Sequence, residues 1–272
     1  MRSQAEKAEV FRALHARKQA FIIPNPWDVG TARILAKLGF EALATTSAGY
    51  AFSAGVLDNQ VGREKMLVHV AQLAAATDLP VSADLENGYG DDPRTVAETI
   101  RLAAETGIVG GSIEDATGRP GEKVYDIGRA TERVRAAAEA KRALAFPFTL
   151  TARAENHLVG IPDLKDTIAR LQAYQEAGAD VLYAPMITTR EEITAIVKAV
   201  DRPVNFLMGT QPQRFTLAEL SAMGVRRVSV GSALSAAALG AFLRAAREMR
   251  ETGTFTYTQE AAGFAEISRL LS

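Results

Sequence analysis

Short apolar runs alternate along the chain with longer amphipathic stretches. Residues 105–114 read Glu-Thr-Gly-Ile-Val-Gly-Gly-Ser-Ile-Glu, which is a helix end, a glycine and then an apolar strand. Residues 37–46, 176–185 and 222–231 repeat this order. A glycine suits the C-terminal end of a helix, and strands that are apolar on both faces are typical of parallel sheets. The pattern therefore predicts repeated strand–helix units around a parallel sheet.

The same pattern places eight strands, near residues 22, 43, 81, 111, 150, 182, 205 and 228. Helices are predicted over 3–17, about 29–38, 62–77, 93–106, 128–143, 163–177, 189–200, 216–223 and 235–251. Eight strand–helix units predict an α/β fold, a (β/α)8 TIM barrel with an extra N-terminal helix. A doubly wound open sheet is the alternative, but no Gly-x-Gly-x-x-Gly phosphate loop follows the first strand.

The stretch 254–272 lies beyond the eighth unit and predicts a C-terminal helical extension. Its apolar positions include Phe255, Phe264, Ile267 and Leu271, which fall on one face of a helix. Such a tail either packs under the barrel or docks on a neighbouring subunit, so we expect a homo-oligomer as one outcome. No linker or low-complexity segment interrupts the chain, and residues 1–272 are expected to form one domain.

Composition limits the classes of function. The 272 residues suit one barrel, and a net charge of −1 gives no reason to expect nucleic acid or a membrane surface as a partner. No apolar run is long enough to span a membrane, and the N-terminus lacks the apolar core of a signal peptide. The chain has no cysteine, which suits the cytoplasm and excludes thiolate metal sites and a cysteine nucleophile.

Acidic residues collect where predicted strands end, which is the edge of a barrel that carries active sites. Asp84 and Glu86 end the third strand and point to the same side, and Glu114 ends the fourth. A single acid at such a place is usually a helix cap or a solvated loop residue. Acids on successive strands repel each other unless a cation lies between them, and Mg²⁺ or Mn²⁺ prefers such oxygen ligands. The sequence therefore predicts a hard-cation site formed by Asp84, Glu86 and Glu114.

Other strand ends offer groups for an acidic substrate. Arg153 follows an apolar strand, and its planar fork suits a carboxylate, with a structural ion pair to Glu155 or Glu114 as the alternative. The turn Ser47-Ala48-Gly49 is small and flexible, and its N–H groups could hold a carboxylate or oxyanion; a plain turn is the alternative. Tyr50 and Asn205 are expected to limit the size of the substrate.

The segment 115–126 is long for a strand-to-helix connection and carries charges of both signs. A long polar loop directly after an acidic strand end predicts a lid, and a merely mobile loop is the alternative. Lys123 and Arg119 could reach an anionic substrate from this lid.

Five motifs together resemble the isocitrate lyase/phosphoenolpyruvate mutase superfamily over residues 24–232. They are Thr46-Ser-Ala-Gly49, Leu57-Asp58, Asp84-Leu-Glu-Asn-Gly-Tyr-Gly90, Ser112-Ile-Glu-Asp115 and Thr151-Ala-Arg-Ala-Glu155. The resemblance implies a (β/α)8 barrel that binds Mg²⁺ or Mn²⁺ and a small α-oxyacid. It also implies tetramers that exchange their last helices.

The resemblance assigns roles to particular residues. It places the metal-binding acids on Asp84 and Glu86, where two aspartates are usual, and on Glu114. It places substrate binding on Ser47, Gly49 and Arg153, with Ala48 inserted into the commoner Ser-Gly pair. Asp58 matches an acid near the reacting centre, and Lys123 matches a lysine of the lid.

The lid also separates this chain from parts of the superfamily. Isocitrate and methylisocitrate lyases carry a Lys-Lys-Cys-Gly-His type of motif there, and this chain has no cysteine. The lid resembles the branch with oxaloacetate decarboxylase-like and carboxyvinyl-carboxyphosphonate phosphorylmutase-like proteins.

We therefore expect a Mg²⁺-dependent lyase that cleaves a C–C bond in a small 2-oxo or 2-hydroxy dicarboxylate, oxaloacetate above all. The expected catalytic residues are Asp58, Glu114, Lys123 and Arg153. Cleavage of a P–C bond is the alternative, and a non-catalytic barrel that binds a small acid is the second.

Overall fold

A computed structural model describes residues 2–209 and 215–272. The barrel strands and hairpin strands are β1 (Phe21–Ile23), β2 (Leu43–Ala44), β3 (Val81–Asp84), β4 (Gly110–Glu114), β5 (Ala116–Arg119), β6 (Glu122–Val124), β7 (Thr149–Arg153), β8 (Val181–Tyr183), β9 (Val204–Leu207) and β10 (Arg227–Ser229). The helices are α1 (Gln4–Ala16), α2 (Val29–Lys37), α3 (Ser47–Ser53), α4 (Arg63–Ala76), α5 (Pro93–Glu105), α6 (Ile127–Arg142), α7 (Leu164–Ala177), α8 (Arg190–Ala199), α9 (Leu217–Ala222), α10 (Ala233–Glu251) and α11 (Phe264–Leu271), with a 3₁₀ turn at Thr256–Glu260.

Eight strands form one parallel sheet in the order β1-β10-β9-β8-β7-β4-β3-β2. The Ala44 N–H donates to the Pro24 carbonyl at 3.1 Å, which brings the two outer strands together. Buried Asn25 strengthens this closure, since its amide nitrogen donates to the Thr45 carbonyl and its oxygen accepts from the N–H groups of Val230 and Gly231. The predicted TIM barrel is confirmed.

Helix α1 covers the amino-terminal end of the barrel. Ser3 and Glu6 cap its first turn reciprocally. Phe11 and Leu14 of α1 pack with Phe21 of β1 and with neighbouring apolar residues in a small core of their own. The larger core lies between the strands and the surrounding helices. The candidate residues lie at the opposite, carboxyl-terminal end of the barrel.

Two connections differ from the predictions. The turn at Ser47 is the first turn of helix α3, which Thr46 caps by accepting from the Gly49 N–H at 3.2 Å. A Cβ atom on Gly49 would lie 2.6 Å from the Thr46 methyl group, so this glycine permits a close approach rather than flexibility. The segment 115–126 is not an irregular loop, because β5 and β6 form an antiparallel hairpin.

The C-terminal helices leave apolar surface uncovered. Ser235 is the one buried residue of α10, and α11 has none, although α11 packs against α2. Phe242 of α10 is 67% exposed. Ile22 on the outer face of β1 is 37% exposed, although the outer face of a barrel strand normally lies beneath a helix. Within the described residues, no helix is both long and apolar enough to cross a lipid bilayer.

We expect a second copy of the chain to cover the exposed face of α10, because apolar patches of this kind mark subunit contacts. Light scattering during gel filtration should give the mass of a dimer or tetramer. Phe242→Glu should shift that mass towards the monomer, whereas Val68→Glu on the exposed side of α4 should not. A monomeric unmodified protein would contradict this expectation.

The buried imidazole of His15 makes stability depend on pH. Burial, together with the charge of Arg227, lowers the pKa of His15 to about 3. In the unfolded chain the pKa of His15 is 6.5. As the pH falls below that value, the imidazole gains a proton in the unfolded state but stays neutral in the folded state, so folding becomes less favourable. At about pH 4.5 this group should cost about 2–3 kcal/mol of stability relative to neutral pH. Urea unfolding at both pH values should show that His15→Gln removes this part of the loss; an unchanged pH dependence would contradict the assignment.

Candidate active site

A cavity of about 1240 Å³ opens at the carboxyl-terminal end of the barrel. Most of the predicted site residues line it: Ser47, Ala48, Asp58, Asp84, Glu86, Glu114, Lys123, Arg153 and Asn205. Two predicted substrate-binding residues lie elsewhere. Gly49 packs within the cap of α3, and the ring of Tyr50 stacks on His69 with 3.6 Å between the ring centres. The structure therefore places neither of them in the wall of the cavity.

The guanidinium of Arg153 lies at the centre of the acidic residues. Its Nη1 is 3.0 Å from Oδ1 of Asp84, its Nη2 is 3.1 Å from Oε2 of Glu114, and its Nε is 2.7 Å from Oε1 of Glu155. Burial alone would lower the pKa of Arg153, but Glu155, Glu114 and Asp84 raise it well above its usual value. Arg153 is therefore a permanent positive charge that joins carboxylates from β3, from β4 and from the segment just after β7. Both ion pairs considered from the sequence are present.

The strand register explains this convergence. Glu114 and Arg153 are direct neighbours in the pairing of β4 with β7, so their side chains point to the same side of the sheet. Asp84 arrives from β3, and Ser47 at the start of α3 donates to its Oδ2 from both N (3.2 Å) and Oγ (3.0 Å). In this structure Ser47 therefore orients an acid of the site.

In the cavity wall, Glu86 and Tyr89 combine an uncommon backbone conformation with buried polar atoms that make no hydrogen bond to the described residues. Both have a positive φ, 50° for Glu86 and 62° for Tyr89, which is uncommon for residues other than glycine. Oε1 of Glu86 and the hydroxyl of Tyr89 are buried without a hydrogen-bond partner among the described residues. Burial, Asp84 and Asp58 raise the pKa of Glu86 to about 8. Unsatisfied buried atoms at the wall of a cavity indicate a ligand, ion or water that completes them.

The acidic residues suit a hard cation without forming a complete cage. Among residues 2–209 and 215–272, no three His, Cys, Asp or Glu side chains are grouped so as to hold a metal by themselves. Asp84 and Glu114 instead contact Arg153. Mg²⁺ is usually bound by one or two carboxylates, with water and substrate oxygens as its other ligands. The carboxylate donors and the free Oε1 of Glu86 fit that mode of binding, and the assignment of Asp84, Glu86 and Glu114 as ligands stays a prediction.

Asp58 and Lys123 lie at the rim of the cavity. Burial and the charge of Asp84 raise the pKa of Asp58, while a hydrogen bond from Ser47 lowers it. The Lys123 ammonium donates to the Val159 carbonyl at 2.8 Å, and Arg119 pairs with Asp91 and with Glu122. The two cations expected to reach a substrate from the lid therefore have other partners in this structure.

The hairpin covers the cavity and is tied to the loop after β3. The Tyr125 hydroxyl donates to Oδ1 of Asp91 at 2.5 Å, and Arg119 contacts Oδ2 of the same residue at 2.7 Å. Buried Arg133 lies 4.2 Å from the Tyr125 ring centre and donates to the carbonyls of Gly90 and Asp91. Opening of the hairpin would therefore disturb the segment that carries Glu86.

Sequence reasoning gave Glu155 no role in the site beyond a possible ion pair. Its side chain is fully buried, and its N–H donates to Oδ1 of Asp115 at 2.8 Å. Oδ2 of Asp115 accepts from Arg170 at 3.0 Å and from the Tyr174 hydroxyl at 2.5 Å. Asp115 thus positions Glu155, whose carboxylate accepts the hydrogen bond from Nε of Arg153. The two-residue spacing of Arg153 and Glu155 was the available signal, because it places both side chains on one side of an extended chain.

Arg227 is the functional candidate that sequence reasoning missed. It lines the floor of the cavity from the start of β10, and Ser229 lies on the same face of that strand. The signal for it was the adjacent pair Arg226 and Arg227 in a predicted barrel strand, because one of two neighbouring strand residues faces the barrel interior.

Comparison with known proteins shows the class of protein to which this chain is similar. A protein of Burkholderia cenocepacia J2315 with the provisional description lyase/mutase is 65% identical, and its crystal structure matches with a TM-score of 0.97 over 99% of this chain and 96% of that one. Oxaloacetate decarboxylase of Chromohalobacter salexigens is 27% identical over 92% of this chain and 87% of its own length. Oxaloacetate acetylhydrolase, solved with the inhibitor 3,3-difluorooxaloacetate, is 26% identical with a TM-score of 0.88 over 100% of this chain and 94% of that one. The fold and these likenesses define a barrel of the lyase and mutase class.

The family follows from a broader comparison. The model of the phosphoenolpyruvate phosphomutase family matches residues 11–250, which is most of the chain. The protein belongs to this family, and the predicted membership of the isocitrate lyase/phosphoenolpyruvate mutase superfamily is confirmed.

Removal of the central guanidinium should destabilise the fold. Arg153→Met leaves three carboxylates without their shared partner, and loss of one partner of a buried ion pair costs about 3–5 kcal/mol. Arg119→Met breaks two ion pairs at the exposed hairpin and should cost about 1 kcal/mol or less. Urea unfolding without added metal measures both free energies. Equal losses for the two variants would contradict the central role of Arg153.

Proposed function

We propose that the protein is a Mg²⁺-dependent lyase that cleaves a carbon–carbon bond in a small 2-oxo or 2-hydroxy dicarboxylate, with oxaloacetate as the favoured substrate. The observation that carries this proposal is the set of three carboxylates around Arg153, beside Oε1 of Glu86, which is buried without a partner in the described parts of the chain. Such a concentration of negative charge repels a dianion unless a cation joins them. The oxaloacetate decarboxylase relative supports the choice of substrate.

Mg²⁺, or Mn²⁺ in its place, would be held by Asp84 with Glu86 and Glu114, directly or through water, and would supply positive charge for the enolate oxygen. Ser47 keeps Asp84 in place. Arg153 uses three of its five N–H groups on carboxylates, which leaves two for a substrate oxygen. The amide nitrogen of Asn205 lies in the opposite wall and can donate to the substrate.

Decarboxylation makes the fewest demands on these groups. The bond between C3 and C4 of oxaloacetate breaks, its electron pair passes into the enolate of pyruvate, and CO₂ leaves. C3 then takes a proton from water or from an acid at the mouth, for which Asp58 is the candidate because burial and the charge of Asp84 raise its pKa. The cysteine acid of isocitrate lyases has no counterpart, since the chain has no cysteine. Cleavage of a P–C bond is the alternative that the family name supports.

A substrate panel tests this proposal. Oxaloacetate, phosphonopyruvate, 2-methylisocitrate and 2,3-dimethylmalate are each supplied with Mg²⁺, and pyruvate release is measured above the rate without protein. We expect release from oxaloacetate that EDTA abolishes and added Mg²⁺ restores. Asp84→Ala should lower the rate by about 10³-fold or more, because several kcal/mol of charge stabilisation are lost.

Glu64→Ala is the matched control, since Glu64 lines the same cavity but is exposed at its mouth. This variant should keep its rate within about threefold, because exposed ion pairs contribute little. Full turnover by folded Asp84→Ala would contradict the metal assignment. Pyruvate from phosphonopyruvate alone would favour the P–C alternative, and no pyruvate from any of the four substrates would contradict the proposed lyase.

A further inference from the structure

Arg227 on the cavity floor has no acidic partner among residues 2–209 and 215–272. The residue is 5% exposed, its Nε donates to Oδ1 of Asn205 at 2.8 Å, and its Nη2 donates to the Thr151 hydroxyl at 3.1 Å. Its Nη1 has no partner within the part of the chain that the structure describes. The ionisable groups whose charges interact with its guanidinium are Tyr183, Arg153 and buried His15, and none of them is a carboxylate. A buried positive charge therefore borders the cavity without a carboxylate to balance it.

The other buried arginines show how unusual this is. Arg153 and Arg170 each contact carboxylates, and Arg133 donates to backbone carbonyls. Burial lowers the pKa of Arg227 to about 10, which still leaves it charged at neutral pH. An unpaired charge away from water is costly, and proteins normally supply it with a partner. A bound anion would be that partner.

Arg227 also fixes the orientation of Asn205. A guanidinium offers donors only, so the amide of Asn205 must turn its oxygen towards Arg227. The amide nitrogen then donates to the Ser229 hydroxyl at 2.9 Å and has a second N–H to offer. The wall formed by β9 and β10 therefore presents donors, whereas the wall formed by β3 and β4 presents carboxylates.

We propose that Arg227 and Asn205 form an anion subsite that binds the second carboxylate of the substrate, the one remote from Asp84 and Glu114. This inference rests on the proposed function and names its substrate class as dicarboxylates rather than monocarboxylates. Arg227 neutralises the far end of the substrate, and Asn205 donates a hydrogen bond to it. In decarboxylation this carboxylate loses its charge as CO₂ forms, so the contact with Arg227 stabilises bound substrate more than the transition state.

Two inert probes separate the subsite from the rest of the cavity. The two carboxylates of oxalate are joined directly, so oxalate suits the acidic corner alone. In 3,3-difluorooxaloacetate two carbons separate the carboxylates, so the second one can reach Arg227. Calorimetric titration in the presence of Mg²⁺ measures both affinities. Arg227→Met should weaken the binding of 3,3-difluorooxaloacetate by about 10-fold to 100-fold, as expected for a lost charge-assisted hydrogen bond. It should weaken the binding of oxalate by less than about twofold.

Arg226→Met is the matched control, because the neighbouring Arg226 donates to carbonyls of its own turn and not to cavity residues. It should bind both probes as the unmodified protein does. With oxaloacetate as substrate, Arg227→Met should raise KM by a similar factor without lowering kcat, which a merely structural role would not produce. Arg227→Gln, which keeps a donor for Asn205 and removes the charge, gives the same measurements if Arg227→Met does not fold.

The outcomes are distinct. A loss of affinity in Arg227→Met for 3,3-difluorooxaloacetate, with little change for oxalate, supports the subsite. Equal weakening of both probes, or of neither, in a folded variant overturns the subsite and leaves the proposed function standing. If the unmodified protein binds oxalate but not 3,3-difluorooxaloacetate, the dicarboxylate class and the subsite are both wrong. If it binds neither probe with Mg²⁺, the proposed function fails and the subsite fails with it.

Discussion

The site depends on one guanidinium group that holds three carboxylates. Arg153 draws together side chains from three adjacent strands, and like charges this close would otherwise push the ends of those strands apart. The surrounding polar groups support this arrangement. Ser47 holds the outer oxygen of Asp84, and Asp115 holds the backbone at Glu155. The capped helix α3 and the buried network on α7 therefore contribute to the same cluster, although neither belongs to the barrel strands.

Charge is distributed unevenly across the cavity, and this distribution limits what can bind. The walls at β3 and β4 carry Asp84, Glu86 and Glu114, while the opposite wall carries Asn205 and Arg227. A small dicarboxylate can satisfy both walls only if a cation offsets the acids at one end. The hairpin above is tied to Asp91, so the roof and the acidic segment below it form one connected unit. Exclusion of water from such a cavity strengthens each of these interactions.

The barrel could be predicted because its signals are local and repeated. Apolar strands followed by amphipathic helices and capping glycines gave all eight strands and most helices within a few residues. Helix α3 was missed because it has seven residues with Gly49 inside its first turn, a composition that favours a turn. The hairpin at 116–124 was missed because its strands are short, polar and unlike the buried strands of the barrel.

The site was less predictable than the fold. Strand ends correctly brought Asp84, Glu114 and Arg153 into one cavity, because parallel strands deliver their carboxyl ends to one edge. The sequence did not reveal that Arg153 would be shared by three acids, since that depends on register and rotamers. Arg227 was missed because the adjacent pair Arg226 and Arg227 gives no indication of which side chain faces the barrel interior and which faces the helices. The exposed apolar face of α10 was not predicted either, because periodicity within one chain does not indicate which helix face the rest of the fold leaves uncovered.

Direct titration of Mn²⁺, followed by the electron paramagnetic resonance signal of the free ion, tests the central claim most directly. We predict that the protein binds about one Mn²⁺ per chain, that oxalate tightens this binding, and that Asp84→Asn abolishes it while the variant stays folded. Tight binding of oxalate without any divalent cation, or unchanged Mn²⁺ affinity in Asp84→Asn, would contradict the account.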